Sequence, residues 1–289
     1  MNAPLAAHTA CVWEVLARKV GNVRPGCGFN DLSYLDFIHS AGALVKALTK
    51  GDGIGETILH AVQLRREVTP SNTNLGIILL LVPLAKSESR EQLEALLSSL
   101  TIGDARFAFE AIRLASAGGL GDVPEQSVSD EPTVTLLEAM RLAADRDMIA
   151  KQYANGFADV YDFGVSKLLE GFGKYESVEA AIIHCQLHWL AEFPDSLIVR
   201  KNGTEIARDV QVRIRKILAS GGIDTAHSRD ELIQFDRMSG SGIPAARHVR
   251  NNLNPGTTAD LVTACLFIAL RDGKLKPNDP FPWLVTDWL

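Results

Sequence analysis

The chain has 289 residues, 46% of them hydrophobic, and a formal net charge of -6 from 29 Lys and Arg against 35 Asp and Glu. That length and apolar content suit one large or two ordinary domains with a sizeable core, and the acidic balance, without a Lys/Arg run or an aromatic-interleaved basic patch, argues against a nucleic-acid partner. The longest apolar run, 77–85, is far short of the about 20 residues that cross a bilayer, and the opening MNAPLAAHTA lacks basic and apolar leader regions, so the expected setting is cytoplasmic, with no membrane partner.

In chain order, 4-PLAAHTACVWEVLARK-19 and 31-DLSYLDFIHSAGALVKALTK-50 carry apolar residues at helical spacing, the second at Leu32, Leu35, Ile38, Ala41 and Val45. The glycine cluster 51-GDGIG-55 has no β-α alternation around it, so it reads as a helix-ending loop and not a phosphate loop; 118-GGLGD-122 reads the same way. The run 75–85 is a core helix, and Ser89-x-x-Gln92 is a capping box that opens a helix over 89–100. Further helices are expected over 103–116, 133–154, 177–193, 204–218 and 257–273. The fold class is all-α, and no linker divides the chain, so a single domain over 1–289 is preferred to a boundary near 117–132. The tail 277-PNDPFPWLVTDWL-289 is expected to pack as an extended segment across the helices, with a homodimer contact as the alternative. Four scattered cysteines without a C-x-x-C pair read as reduced thiols.

Four polar segments each join a loop to a core helix: 19-KVGNVRPGCGFND-31, 71-SNTNLG-76, 194-PDSLIVRKNG-203 and 252-NLNPGTTAD-260. Clustered helix starts aim backbone N–H groups at an anion, and Lys19, Arg24, Arg200 and Lys201 would add positive charge. Each has a structural alternative. Ser71 or Asn72 can cap the 75–85 helix, Asp195 can cap a helix after Pro194, and Thr257-x-x-Asp260 resembles a capping box after the Pro255-Gly256 turn. His184, His188 and Glu192 lie along one helical face, a spacing that permits a metal, but the pair lacks the Glu of H-E-x-x-H and Leu187, Trp189 and Leu190 around it read as packing residues.

At these four segments, 19-KVGNV-23, 72-NTNLG-76, 195-DSLIVRKNG-203 and 254-NPGTTADL-261, the sequence resembles the triphosphoribosyl-dephospho-CoA synthase family. The family has Lys-Pro-Gly-Asn-Val-like, Asn-Thr-His-Lys-Gly-like, Asp-Thr-Leu…Arg/Lys-Gly-Gly and Pro-Gly-x-x-Ala-Asp-Leu segments in the same order. The matches span nearly the whole chain, and 145-DRDMIAKQYANGF-157 is similar to the shorter, archaeal-type members. Val20 stands in place of the family's proline, Asn74-Leu75 in place of His-Lys, and the Arg-Gly-Glu segment of the citrate-lyase-associated members has no clear counterpart.

The resemblance implies an all-α transferase that takes ATP, displaces adenine from the anomeric carbon and joins the triphosphoribosyl group to the ribose 2′-hydroxyl of dephospho-CoA, with Mg²⁺ on the triphosphate. It makes Asp195 and Asp260 the candidates for Mg²⁺ or base work, and Glu14 and Asp31 weaker metal candidates. Asn22, Asn72, Asn74, Gly76, Asn254, Gly256 and Thr257 would hold phosphate or ribose, and Lys19, Arg24 and Lys201 would neutralise phosphate charge. The substitution at Asn74-Leu75 motivates two alternatives: a phosphoribosyl or ribosyl transferase serving another cofactor, such as a one-carbon carrier, or a non-catalytic nucleotide-binding protein.

Overall fold

A computed structural model describes residues 1–28, 32–71, 73–115, 127–239 and 253–289. Among the described residues there are fourteen α-helices, one π-helical segment and no strand, and an isolated bridge pairs Arg24 with Cys27.

Helix α1 (Ala3–Leu16) is opened by Asn2, whose Oδ1 accepts from Leu5 N at 3.0 Å, and it stops before Arg18 and Lys19, which the apolar period places inside it. Helix α2 (Tyr34–Leu48) starts at a capping box in which Ser33 N donates to Asp36 Oδ2 at 2.8 Å. The cluster at 51–55 does more than end α2. Gly53 opens a further helix, α3 (Ile54–Val68), and its N–H donates to Glu56 Oε2 at 3.1 Å. The reading of this cluster as a helix-ending loop is corrected accordingly, and the missed signal is the glutamate three residues after the cap.

Helix α4 (Leu75–Ala85) is buried along most of its length and carries Pro83 in its interior. Proline has no N–H to give the carbonyl four residues back, so Leu79 O is left without its helical donor. The buried Tyr153 hydroxyl supplies the replacement at 2.6 Å. Helices α5 (Arg90–Ser98) and α6 (Ile102–Ala115) follow, α5 opening as expected with Ser89 Oγ accepting from Gln92 N at 3.3 Å.

The single helix expected over 133–154 is two, α7 (Leu136–Ala143) and α8 (Met148–Ala154). Asp147 causes the break: its Oδ1 accepts from Ile149 N and Ala150 N at 2.8 and 3.1 Å, so the side chain starts a new helix in place of continuing the old one. A π-helical segment (Asp159–Gly164) runs into α9 (Val165–Tyr175), followed by α10 (Val178–Glu192), α11 (Ser196–Asn202), α12 (Thr204–Ala219), α13 (Ala226–Ser239) and α14 (Gly256–Arg271).

Helix α10 joins two apolar clusters. Val178, Ala181, Ile182, Cys185 and Trp189 enter the larger one, with α1 to α9 and α14. Ala180, Ile183, Leu187 and Leu190 enter the smaller, with α12, α13, Leu253 and Trp288. A helix apolar on nearly every side is one that the rest of the chain surrounds. The tail packs as expected: Val178 N donates to Pro280 O at 2.8 Å, Glu179 N to Phe281 O at 3.0 Å, and Trp288 Nε1 to Arg18 O at 2.9 Å. It thereby supplies acceptors to the first turn of α10. All four cysteines are buried free thiols, and among the described residues no helix is long and apolar enough to cross a membrane.

Candidate active site

Four helices begin at one place. The start of α14 meets the start of α4 through Asp260 and Gly76, since a Cβ on Gly76 would lie 2.0 Å from Asp260 Oδ2. The starts of α14 and α11 share Asp195, and α8 joins them because Met148 N donates to Ser196 Oγ at 3.3 Å and Ser196 Oγ to Thr257 Oγ1 at 3.1 Å. Each start carries the positive end of a helix dipole, so their convergence favours negative charge, and Asp147, Asp195 and Asp260 cluster there.

Asp195 caps two helices at once. Its Oδ1 accepts from Leu197 N and Ile198 N at 2.9 and 3.0 Å, and its Oδ2 from Thr258 N and Oγ1 at 2.7 and 2.8 Å. Four donors occupy this carboxylate, yet burial still holds its pKa above the ordinary range, opposed by the Thr258 bonds. The capping box expected at Thr257-x-x-Asp260 does not form. Helix α14 starts one residue earlier, after Pro255, and its first turn is capped from α11 by Asp195.

Asp260 is therefore released from capping. It has no hydrogen-bond or ion-pair partner among the described residues, and burial, Glu14 and Asp195 together push its pKa well above the usual carboxylate value. The neighbouring carboxylates are all committed. Asp147 binds Arg200 besides capping α8, and Glu14 is paired with Lys19 Nζ at 2.9 Å. Burial drives the Glu14 and Lys19 pKa values toward each other, up for Glu14 and down for Lys19, while the mutual attraction opposes both shifts.

The loop after α1 is pinned rather than open. Asn22 Nδ2 donates to Asn254 Oδ1 at 2.9 Å and to Pro255 O at 3.3 Å, and its Oδ1 accepts from Gln186 Nε2 at 2.7 Å. Arg24 makes a buried, bidentate pair with Asp236 at 3.0 and 2.7 Å, and Gly21 N donates to the same carboxylate at 2.7 Å. Lys19 and Arg24, expected as phosphate cations, are thus internally neutralised. Lys201 is exposed near the C-terminal end of α11, roughly 8 Å along the axis from its first turn. Gly256 begins α14, with Leu197 packed against its Cα. Asn72 and Asp31 lie outside the described residues.

The 71–76 segment delivers polar groups to a buried place. Asn74 sits at the start of α4 with φ 58°, and no side chain caps that helix among the described residues. Its Nδ2 donates to Phe37 O at 3.3 Å, while its Oδ1 is buried without a partner. Arg65 of α3, a residue the spacing of the sequence did not single out, donates from one terminal nitrogen to Ser71 O and keeps Nε and the other terminal nitrogen buried and unpaired. Burial and Arg66 lower its pKa, the cost of a guanidinium without a counter-charge. An anion at the start of α4 would satisfy Arg65 and the first-turn N–H groups together.

Comparisons with known proteins bear on the family and the fold. Residues 2–279 match the family model CitG, ATP:dephospho-CoA triphosphoribosyl transferase. The fold is similar to the crystal structure of a protein from Archaeoglobus fulgidus provisionally named triphosphoribosyl-dephospho-CoA synthase, with a TM-score of 0.61 and 25% identity, covering 83% of this chain and 98% of that one. No curated protein matches the sequence.

Proposed function

We infer the chemistry of this site from one premise: the chain belongs to the CitG family, ATP:dephospho-CoA triphosphoribosyl transferase. The family reaction moves the triphosphoribosyl group of ATP to dephospho-CoA. The bond from the anomeric carbon to adenine breaks, a bond to the acceptor hydroxyl forms, and the proton lost by the hydroxyl is balanced by the one adenine takes up.

The observation that carries the reading is the free Asp260 carboxylate at four converging helix starts, against a glycine that leaves room for it. It serves the reacting end of ATP, either as the base that takes the acceptor proton or as a ligand for Mg²⁺. Asp195 positions it by locking α11 to α14. Asn74, Gly76 and the first turn of α4 bind phosphate or ribose, with Arg65 supplying charge that Leu75 does not. Asn22, Asn254 and Thr257 hold the surrounding loops in register.

Mg²⁺ commonly uses one or two protein carboxylates together with substrate phosphates and waters, and an unpartnered Asp260 fits that donor set. Glu14, Asp195 and Asp260 do not close into a three-ligand cage, so the substrate's own oxygens would complete the coordination. When bound, the ion neutralises triphosphate charge in the transition state. The family match and the free carboxylate favour this reaction over the one-carbon-cofactor and non-catalytic alternatives. Incubation with ATP, Mg²⁺ and dephospho-CoA tests it: adenine and the coupled product should appear in equal amounts, and absence of adenine with dephospho-CoA would overturn the assignment.

A further inference from the structure

We propose that Glu170, His184 and His188 form a zinc site that fastens α9 to the outer face of α10. The sequence places the two histidines one turn apart, and the structure supplies a third group from a different helix than Glu192, the carboxylate the sequence suggested. One potential ligand atom from each of Glu170, His184 and His188 lies within 4.8 Å of the others, the one such group among the described residues. Helix α9 approaches α10 closely here, since a Cβ on Gly171 would lie 3.0 Å from both Ala181 Cα and His184 Cβ.

The groups are poised and underused. His184 is 7% exposed, and its Nε2 is buried with no hydrogen-bond partner. Glu170 Oε1 stands 3.6 Å from that nitrogen, too far for a good hydrogen bond but close to the about 3.4 Å between donors of a tetrahedral ion with bonds of about 2.1 Å. The other oxygen, Oε2, accepts from Lys167 Nζ at 2.7 Å, which orients the carboxylate and leaves Oε1 toward the histidines. The rings of His184 and His188 are 4.3 Å apart between centroids. Burial lowers the pKa of both imidazoles, that of His188 to about 4 with help from His184, so each offers a lone pair at neutral pH.

Two imidazoles and one carboxylate with an open fourth position suit Zn²⁺ completed by water. The other charges facing the site are Lys174, itself paired with Asp224 at 2.5 Å, and Asp224. Gln186 lies about 200° around α10 from His184 and serves the loop at Asn22, so this site is separate from the proposed active site.

The test uses the full chain, stripped with a chelator and titrated with Zn²⁺ against a chromophoric competitor, alongside Glu170→Gln and His188→Gln. Both substituted residues are only partly buried or exposed, which protects the fold. The expected result is one tightly held ion per chain, a rise in Tm on adding it, and a loss of affinity of at least about tenfold in each variant with the Tm rise abolished. Absence of stoichiometric Zn²⁺ binding by the parent protein, or binding unchanged in both variants, overturns the site.

Discussion

Asp195 and Asp260 are the same residue type in neighbouring positions, and their partners give them opposite roles. Asp195 satisfies four donors, so Asp195→Asn would turn an amide N–H₂ toward at least one of them. We predict a loss of about 1–2 kcal/mol at neutral pH, measured by urea denaturation. Asp260 satisfies none, and its folded pKa is raised by burial and by Glu14 and Asp195. Between the unfolded value of about 4 and that raised value the native state binds more protons than the unfolded state, so stability falls as pH rises through this window. Asp260→Asn removes the loss. Its Tm should match the parent near pH 4 and exceed it at neutral pH, and a gap that does not widen with pH would contradict the assignment. The sequence identified both residues as candidates and could not separate their roles, because the cap on Thr258 arrives from a residue 63 positions away. Arg65 was illegible for a related reason: its importance lies in two unpaired nitrogens that only packing reveals.

At the scale of helices, periodicity is legible where one face is apolar and a cap stands at the start, as for α2 and α5. Boundaries failed where a side chain competes with the backbone: Asp147 splits the 133–154 run, and Gly53 opens α3 from a cluster read as a loop. The spacing of the sequence does not predict α9 or α13, and it marks α11 only by the Asp195 cap at its start. The pairing of Pro83 with Tyr153 shows the same limit, since the donor missing from α4 is restored from α8. Tyr153→Phe should cost about 1–3 kcal/mol by leaving Leu79 O buried without a donor. Pro83→Ala supplies a backbone N–H to that carbonyl, so the double variant should lose less than the sum of the two single changes. Strict additivity in a denaturation cycle would show that the two residues do not share the carbonyl.

At the scale of the whole molecule, the all-α class was legible because strand alternation is missing from the sequence, while the division of the interior into two apolar clusters was not. Those clusters meet along α10, whose buried residues enter both. We propose that the chain behaves as one domain: calorimetry should show a single transition with equal calorimetric and van't Hoff enthalpies, and two separable transitions would place a boundary at α10. The proposed active site draws on α1, α4, α8, α11 and α14, so its geometry requires the helical assembly as a whole.

The central claim is that the carboxylate left free by this assembly acts on ATP. Adenine release from ATP and dephospho-CoA, followed by chromatography for the parent protein and Asp260→Asn on preparations whose melting is recorded in parallel, tests it directly. A folded variant with Tm at or above the parent's and turnover lower by roughly 100-fold or more is the expected result. A folded variant that releases adenine at the parent's rate would remove Asp260 from the site.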